Sequence, residues 1–267
     1  MQTRLEASED AILRVQDGLK YLRLEDYEKA NEYFDALLVS DENNALAWTY
    51  KGLALAGRGN ASEALKCIDR AMKIDPSLRL AWYAKSQTLE ILGRVSESNE
   101  YLAKLTSSQP TDALGFFARA LAWSGQDPDK AINDLRKAIK LRPKYAEAYA
   151  MRGILYRQKR DYDLAISDFT KAIEIDSQFA SAYTSRGNCY RQKGDLARAI
   201  EDHTKAINLN PKYGTAYFNR GRAYVEKGDY RAARSDWEKA VSLEPPNSRI
   251  RAAADKNLQT LKEEGHY

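Results

Sequence analysis

Polar and apolar positions along this chain repeat every 34 residues, most plainly in the second half. Arg152-Gly153, Arg186-Gly187 and Arg220-Gly221 recur at that spacing. So do Lys137-Ala138-Ile139, Lys171-Ala172-Ile173, Lys205-Ala206-Ile207 and Lys239-Ala240-Val241. A fixed period of this length sets the whole fold, so it is read before any local propensity. Carried toward the N-terminus, the register gives seven units: 11–44, 45–78, 79–112, 113–145, 146–179, 180–213 and 214–247.

Each unit predicts two antiparallel helices. In the first, position 4 holds Arg14, Trp48, Trp82, Phe116, Tyr149, Tyr183 and Tyr217. Position 8 is small throughout: Gly18, Gly52, Ser86, Ala120, Gly153, Gly187 and Gly221. Position 11 is large again, with Tyr21, Leu55, Leu89, Trp123, Tyr156, Tyr190 and Tyr224. Spacings of four and three put all three positions on one helical face, where the small residue admits the paired helix. The second helix repeats this logic with Ala30, Ala64, Ser98, Ala131, Ala165, Ala199 and Ala233. Four residues later stand Phe34, Ile68, Leu102, Leu135, Phe169, His203 and Trp237. Pro76, Pro110, Pro143, Pro211 and Pro245 close the units, because proline cannot continue a helix.

Between the two helices, Gly59, Gly93, Gly194 and Gly228 supply a left-handed residue. Glu25 and Arg160 occupy that place in their own units and cost about 1 kcal/mol relative to glycine. The fourth unit is one residue short between Trp123 and Ala131, which predicts an altered turn.

These residues make the chain resemble the tetratricopeptide repeat family from about residue 11 to residue 247. Arg14 and Glu42 in the first unit, and Ser86 and Ser98 in the third, depart from that family's pattern. The resemblance implies an all-α fold: a right-handed α-solenoid of seven tetratricopeptide helical hairpins. First helices would line a concave channel and second helices would lie outside. Residues 1–10 read as a polar N-terminal segment. From Ser248 to about Glu263 the composition predicts a C-terminal capping helix over the apolar end of the seventh unit, followed by a frayed Gly265-His266-Tyr267.

Composition narrows the function. The chain has 267 residues, 43% hydrophobic and 30% charged, a folded rather than disordered balance. No apolar run approaches the roughly 18 residues that cross a bilayer, and the start lacks a signal-peptide core, so a cytoplasmic location is expected. Cys67 and Cys189 fall in distant units and read as small buried hydrophobes, and two histidines argue against a zinc site. His203 takes the place of Phe169 and Trp237, so it reads as a core residue with a satisfied hydrogen bond. The four tryptophans occupy packing positions. No phosphate-binding glycine loop, His-Glu-x-x-His or Gly-x-Ser-x-Gly is present. Asp161 and Asp163 read as helix-start residues, where negative charge is favoured. The expectation is a non-enzymatic protein with no catalytic residues, metal or cofactor.

Function is then sought where units differ. Positions 2, 5, 6 and 9 of the first helices should face the channel. In the early units they give an apolar strip of Leu46, Tyr50, Leu80, Tyr83, Leu114 and Phe117. Exchange of Tyr83 and Phe117 for Glu is expected to leave the fold intact. Later units are more polar, with Met151, Asn188, Phe218, Asn219 and Arg222, joined by Arg249. Some family members hold carboxyl termini of chaperones with Lys and Asn side chains. Asn188 and Asn219 match two of those positions and Arg249 conservatively a third, but Thr184 and Ala253 replace the other cations. An asparagine ladder at position 6, found in members that bind sugar-transferase substrates, is missing.

Charge is uneven as well. Residues 1–112 carry 14 basic and 18 acidic groups, and residues 113–267 carry 28 and 20. The first reading is therefore a protein-interaction scaffold that takes a peptide or partner helix in the channel. The alternative is nucleic-acid or acidic-ligand binding by the basic half through Arg157, Arg191 and Arg222. The absence of a base-reading motif and a modest charge excess argue against nucleic acid.

Overall fold

The computed structural model describes residues 14–266, among which it is 79% helical, with fifteen helices and no strand. The expected N-terminal segment 1–10 lies outside the described residues. Helix α1 covers residues 14–23. It is followed by α2 (Tyr27–Ser40), α3 (Ala45–Gly57), α4 (Ala61–Ile74), α5 (Arg79–Ile91), α6 (Val95–Ser107), α7 (Ala113–Trp123) and α8 (Pro128–Leu141). Next come α9 (Ala146–Gln158), α10 (Tyr162–Ile175), α11 (Ala180–Gln192) and α12 (Leu196–Leu209). The last are α13 (Gly214–Lys227), α14 (Tyr230–Leu243) and α15 (Arg249–Glu263). They group into two compact units, Met1–Ala148 and Tyr149–Tyr267.

Within each unit the odd-numbered helices open hairpins and the even-numbered ones return. Successive first helices touch, α3 on α5 and α5 on α7 in one unit and α11 on α13 in the other. Second helices pack instead on the first helix that follows, as α4 does on α5 and α12 on α13. First helices therefore form the inner face of each stack.

Hairpin pairing rests on the large-to-small contact. Phe34, Ile68, Leu135, Phe169 and His203 are fully buried, and Trp237 nearly so. A Cβ at Gly221 would sit 2.5 Å from the Trp237 indole nitrogen, and one at Gly187 would sit 2.9 Å from the His203 ring. Only glycine allows these helices to approach that closely.

A charged ladder reinforces the hairpins. Arg119, Arg152, Arg186 and Arg220 each pair with an aspartate of the returning helix of their own hairpin: Asp134, Asp168, Asp202 and Asp236. Each is bidentate, with Arg152 reaching both oxygens of Asp168 at 2.7 Å. Arg186 and Arg220 also donate to Thr170 and Thr204 of the preceding hairpin, at 3.1 and 3.0 Å. Burial pushes the Asp202 and Asp236 carboxyls up, and the facing guanidinium opposes it.

The turns follow the backbone. Glu25 and Arg160 take positive φ, 57° and 63°, where Gly59, Gly93, Gly194 and Gly228 stand in other hairpins. In the shortened fourth repeat α7 is 11 residues long against 13 for α3 and α5. Asp127 caps α8 there by accepting from the Lys130 amide, and Pro128 starts the helix.

Helix α15 closes the second unit by burying Ala254 and Leu261 against Trp237 and Ala240. Ser248 caps it by accepting from the amides of Ile250 and Arg251. Beyond it, Gly265 and His266 are exposed. The His266 amide donates to the Leu261 carbonyl at 2.9 Å, and its ring stacks on Tyr230 at 3.8 Å. Among the described residues, no helix is long and apolar enough to cross a membrane.

Candidate functional site

In Met1–Ala148 the expected apolar strip is packed. Leu46 and Leu80 are buried core, 7% and 2% exposed, so neither offers a surface. Tyr50, Tyr83 and Leu114 are partly buried against that same core, and Tyr50 stacks on Phe34 at 5.9 Å. Phe117 lies 5.0 Å from the buried Tyr145 ring. Burial drives the phenols of Tyr50, Tyr83 and Tyr145 upward from their ordinary value. Arg23, at the end of α1, donates from Nε to Glu147 Oε1 at 3.0 Å and ties the first hairpin to the start of α9. The physical reason is that successive first helices pack on one another, so position 2 turns toward a neighbour rather than to solvent.

In Tyr149–Tyr267 the inner face is built differently. A cavity of about 380 Å³ is lined by Arg157, Gln158, Arg160, Tyr162, Asn188, Arg191, Gln192, Asn219 and Arg222. It brings together three of the expected residues, Asn188, Asn219 and Arg222, and no carboxylate lines it. Met151 and Phe218 are partly buried outside this lining, with the Phe218 carbonyl accepting from the Trp237 indole. Arg249 is exposed in the first turn of α15, also outside the lining.

Arg191 is buried and donates from Nη1 to Glu226, while its Nε has no hydrogen-bond partner. Arg157 Nε and Asn188 Oδ1 are likewise buried and unpartnered. The Asn219 amide is held by donation to the Thr215 carbonyl at 2.9 Å. Burial, then the Arg191 charge, draws the Arg222 guanidinium below its usual range.

The sequence points to Arg157 and Arg191 only through the alternative function and to Arg160 only through its turn, and gives no signal for Tyr162. The signal for the two arginines was present. Each stands three residues beyond channel position 9, which keeps it on the same helical stripe.

His203 sits behind this site, fully buried as expected. The expected hydrogen bond is corrected, because neither ring nitrogen has a partner. Burial, with Arg191, Arg220 and Arg222 adding positive charge, lowers its pKa to about 3. Cys67 and Cys189 are free and buried. Among the described residues no three His, Cys, Asp or Glu side chains gather as a metal ligand set.

Several tyrosines of the second unit lie under arginines. Arg186 lies over Tyr183 and Tyr190 at 5.6 and 5.9 Å, and Arg198 over Tyr190 at 4.4 Å. Arg220 lies over Tyr217 and Tyr224 at 5.7 and 5.9 Å.

Family models described as tetratricopeptide repeat match residues 17–79, 113–145, 146–179, 169–201 and 214–247, and one described as TPR repeat matches 187–228. No curated protein matches the chain. Among solved structures it is similar to the human IFIT1 dimer with PPP-AAAA, at 18% identity and a TM-score of 0.71. That match covers 91% of this chain and 61% of the other. The APC/C hetero-tetramer Cut9-Hcn1 matches at 16% identity and 0.62, covering 88% of this chain and 46% of the other. A tetratricopeptide repeat protein from Parabacteroides merdae matches at 19% and 0.58, covering 94% and 98%. The chain thus spans about half to three-fifths of the length of the first two proteins. At these identities the likeness is one of fold.

Proposed function

The chain belongs to the tetratricopeptide repeat family, and we propose that it is a non-enzymatic scaffold binding an acidic peptide segment of a protein partner. The binding face would be the inner face of Tyr149–Tyr267. One observation carries this reading. Arg157, Arg191 and Arg222 converge on a cavity without any lining carboxylate, where buried polar atoms lack partners. Unpaired buried polar groups cost about 1–3 kcal/mol each, a penalty that an incoming acceptor relieves at the Nε donors of Arg157 and Arg191. The partner segment would lie along α11 and α13, reading Asn188 and Asn219 beside the arginines. An apolar helix in the early channel is no longer the favoured ligand, since Leu46 and Leu80 are consumed by packing.

The same cations would attract a nucleic-acid backbone. Against that reading, Tyr183, Tyr190, Tyr217 and Tyr224 already carry arginines, which leaves Tyr162 as the one tyrosine of the cavity lining, and stacking is a main sequence-tolerant contribution to single-strand binding. The test is selection from random heptapeptides on the immobilised full chain. Asp- and Glu-rich sequences should be enriched, and Arg157→Glu with Arg222→Glu should abolish the enrichment. Enrichment of apolar sequences, or indifference to the double substitution, would place binding elsewhere.

A further inference from the structure

We propose that the cavity of Tyr149–Tyr267 receives a phosphorylated side chain of the partner segment, a phosphomonoester held by Arg157, Arg191 and Arg222. This rests on the reading of the inner face just given and narrows it from acidic side chains in general to a dianion.

The argument begins with charge matching. Elsewhere in this unit Arg152, Arg186 and Arg220 each end on one aspartate, one positive charge against one negative. Around the cavity the ratio differs. Three guanidinium groups face one carboxylate, Glu226, which lies outside the lining and pairs with Arg191. Arg160 adds a further cation to the lining. The surplus is at least two positive charges. A single carboxylate would cancel half of it, whereas a phosphomonoester carries about −1.5 to −2 near neutral pH.

Donor geometry agrees. Phosphate offers three strong acceptor oxygens, and guanidinium forks match them better than any other side chain. The lining supplies Arg157 and Arg191, each with an unpartnered Nε, and the amides of Asn188 and Asn219. Arg191 is itself only 9% exposed, so the anion would meet a desolvated cation. Partial desolvation, then the neighbouring Arg191 charge, draws the Arg222 pKa down, and Glu226 opposes it. The volume, about 380 Å³, is that of a small-ligand pocket and exceeds the needs of a bare phosphate. Room therefore remains for the side chain that carries it.

The test uses the full chain, immobilised, and two degenerate peptide libraries identical except for a central phosphoserine or serine. The phosphoserine library should be retained at least tenfold better, and inorganic phosphate should compete. Arg157→Gln and Arg222→Gln should each reduce retention at least tenfold. Arg222 is exposed, so that variant should keep the parental melting curve and separate loss of binding from loss of fold. Equal retention of both libraries with acidic residues enriched around the centre would overturn the phosphate inference while leaving the acidic-peptide reading standing. Retention of neither library would overturn both. Tighter, arginine-dependent binding of a 5′-phosphorylated oligoadenylate than of the phosphopeptides would replace the protein partner with a nucleic acid.

Discussion

The two units use one helical template and finish their inner faces in opposite ways. In Met1–Ala148, Tyr50, Leu80, Tyr83, Leu114 and Phe117 fill the face, and Arg23 ties it to Glu147. In Tyr149–Tyr267 most of the equivalent positions are small or polar, Met151 and Phe218 excepted, and arginines border a cavity. The difference shows that an apolar channel position does not by itself mark a binding surface. When successive first helices touch, large apolar residues on their inner edges meet one another and become core. Short and charged ones cannot, and the face stays accessible.

The sharpest way to break this comparison is to charge both faces. Tyr83→Glu combined with Phe117→Glu should destabilise the protein by about 4 kcal/mol or more, since buried carboxylates lose hydration without partners. Arg157→Gln with Arg222→Gln should change stability by less than about 1 kcal/mol. Urea denaturation measures both, and a folded, unperturbed Tyr83/Phe117 variant would restore the open strip.

The ladder offers a second contrast. Asp202 is 7% exposed at its side chain and bidentate to Arg186, so Asp202→Ala leaves a buried cation and should cost about 3 kcal/mol. Asp69, 43% exposed beside Lys85, should cost under about 1 kcal/mol on the same change. Equal losses would mean that burial does not rank these pairs.

Much of the fold was legible because the large-small-large faces and closing prolines repeat in register. The ladder was hidden by a shift of two residues. Asp35 and Asp69 follow Phe34 and Ile68, and pair with Lys51 and Lys85 of the next hairpin. Asp134, Asp168, Asp202 and Asp236 precede Leu135, Phe169, His203 and Trp237, which turns them onto their own first helix. A step of two residues rotates a side chain by about 200° around a helix. The candidate site was half legible. Asn188, Asn219 and Arg222 fell on the assumed channel positions, but that assumption stopped one turn short of Arg157 and Arg191. Periodicity could not distinguish Leu80 in a groove from Leu80 in a core, because the answer depends on how closely neighbouring hairpins approach.

His203 tests the core behind the cavity. Its folded pKa of about 3 lies below the ordinary 6.5, so the unfolded chain binds its proton first as pH falls. The stabilisation is complete above pH 6.5 and should decline through the window down to about 3. At pH 5 the loss is about 2 kcal/mol, from roughly 1.4 kcal/mol per pH unit. His203→Phe, which restores the residue found at position 169, should remove that part of the acid sensitivity. Identical stability-against-pH slopes for the two proteins between pH 6.5 and 5 would refute the buried neutral imidazole.

The smallest expected effect treats the two units alike. Glu25 in one and Arg160 in the other hold positive φ at the turn between helices, where side chains crowd the backbone. The corresponding glycines, Gly59, Gly93, Gly194 and Gly228, would have nothing within 4 Å of an added Cβ. Space therefore does not select glycine at this turn; backbone conformation does. Glu25→Gly and Arg160→Gly should each stabilise by up to about 1 kcal/mol, less the entropy that glycine gains when unfolded. Gly59→Ala should destabilise by a similar amount. Calorimetric melting of the single variants measures each sign. If Arg160→Gly stabilises and Glu25→Gly does not, the turn in the first unit is held by side-chain contacts of Glu25 as well as by its backbone. If Gly59→Ala is neutral, the left-handed conformation carries no measurable strain, and glycine recurs there for another reason.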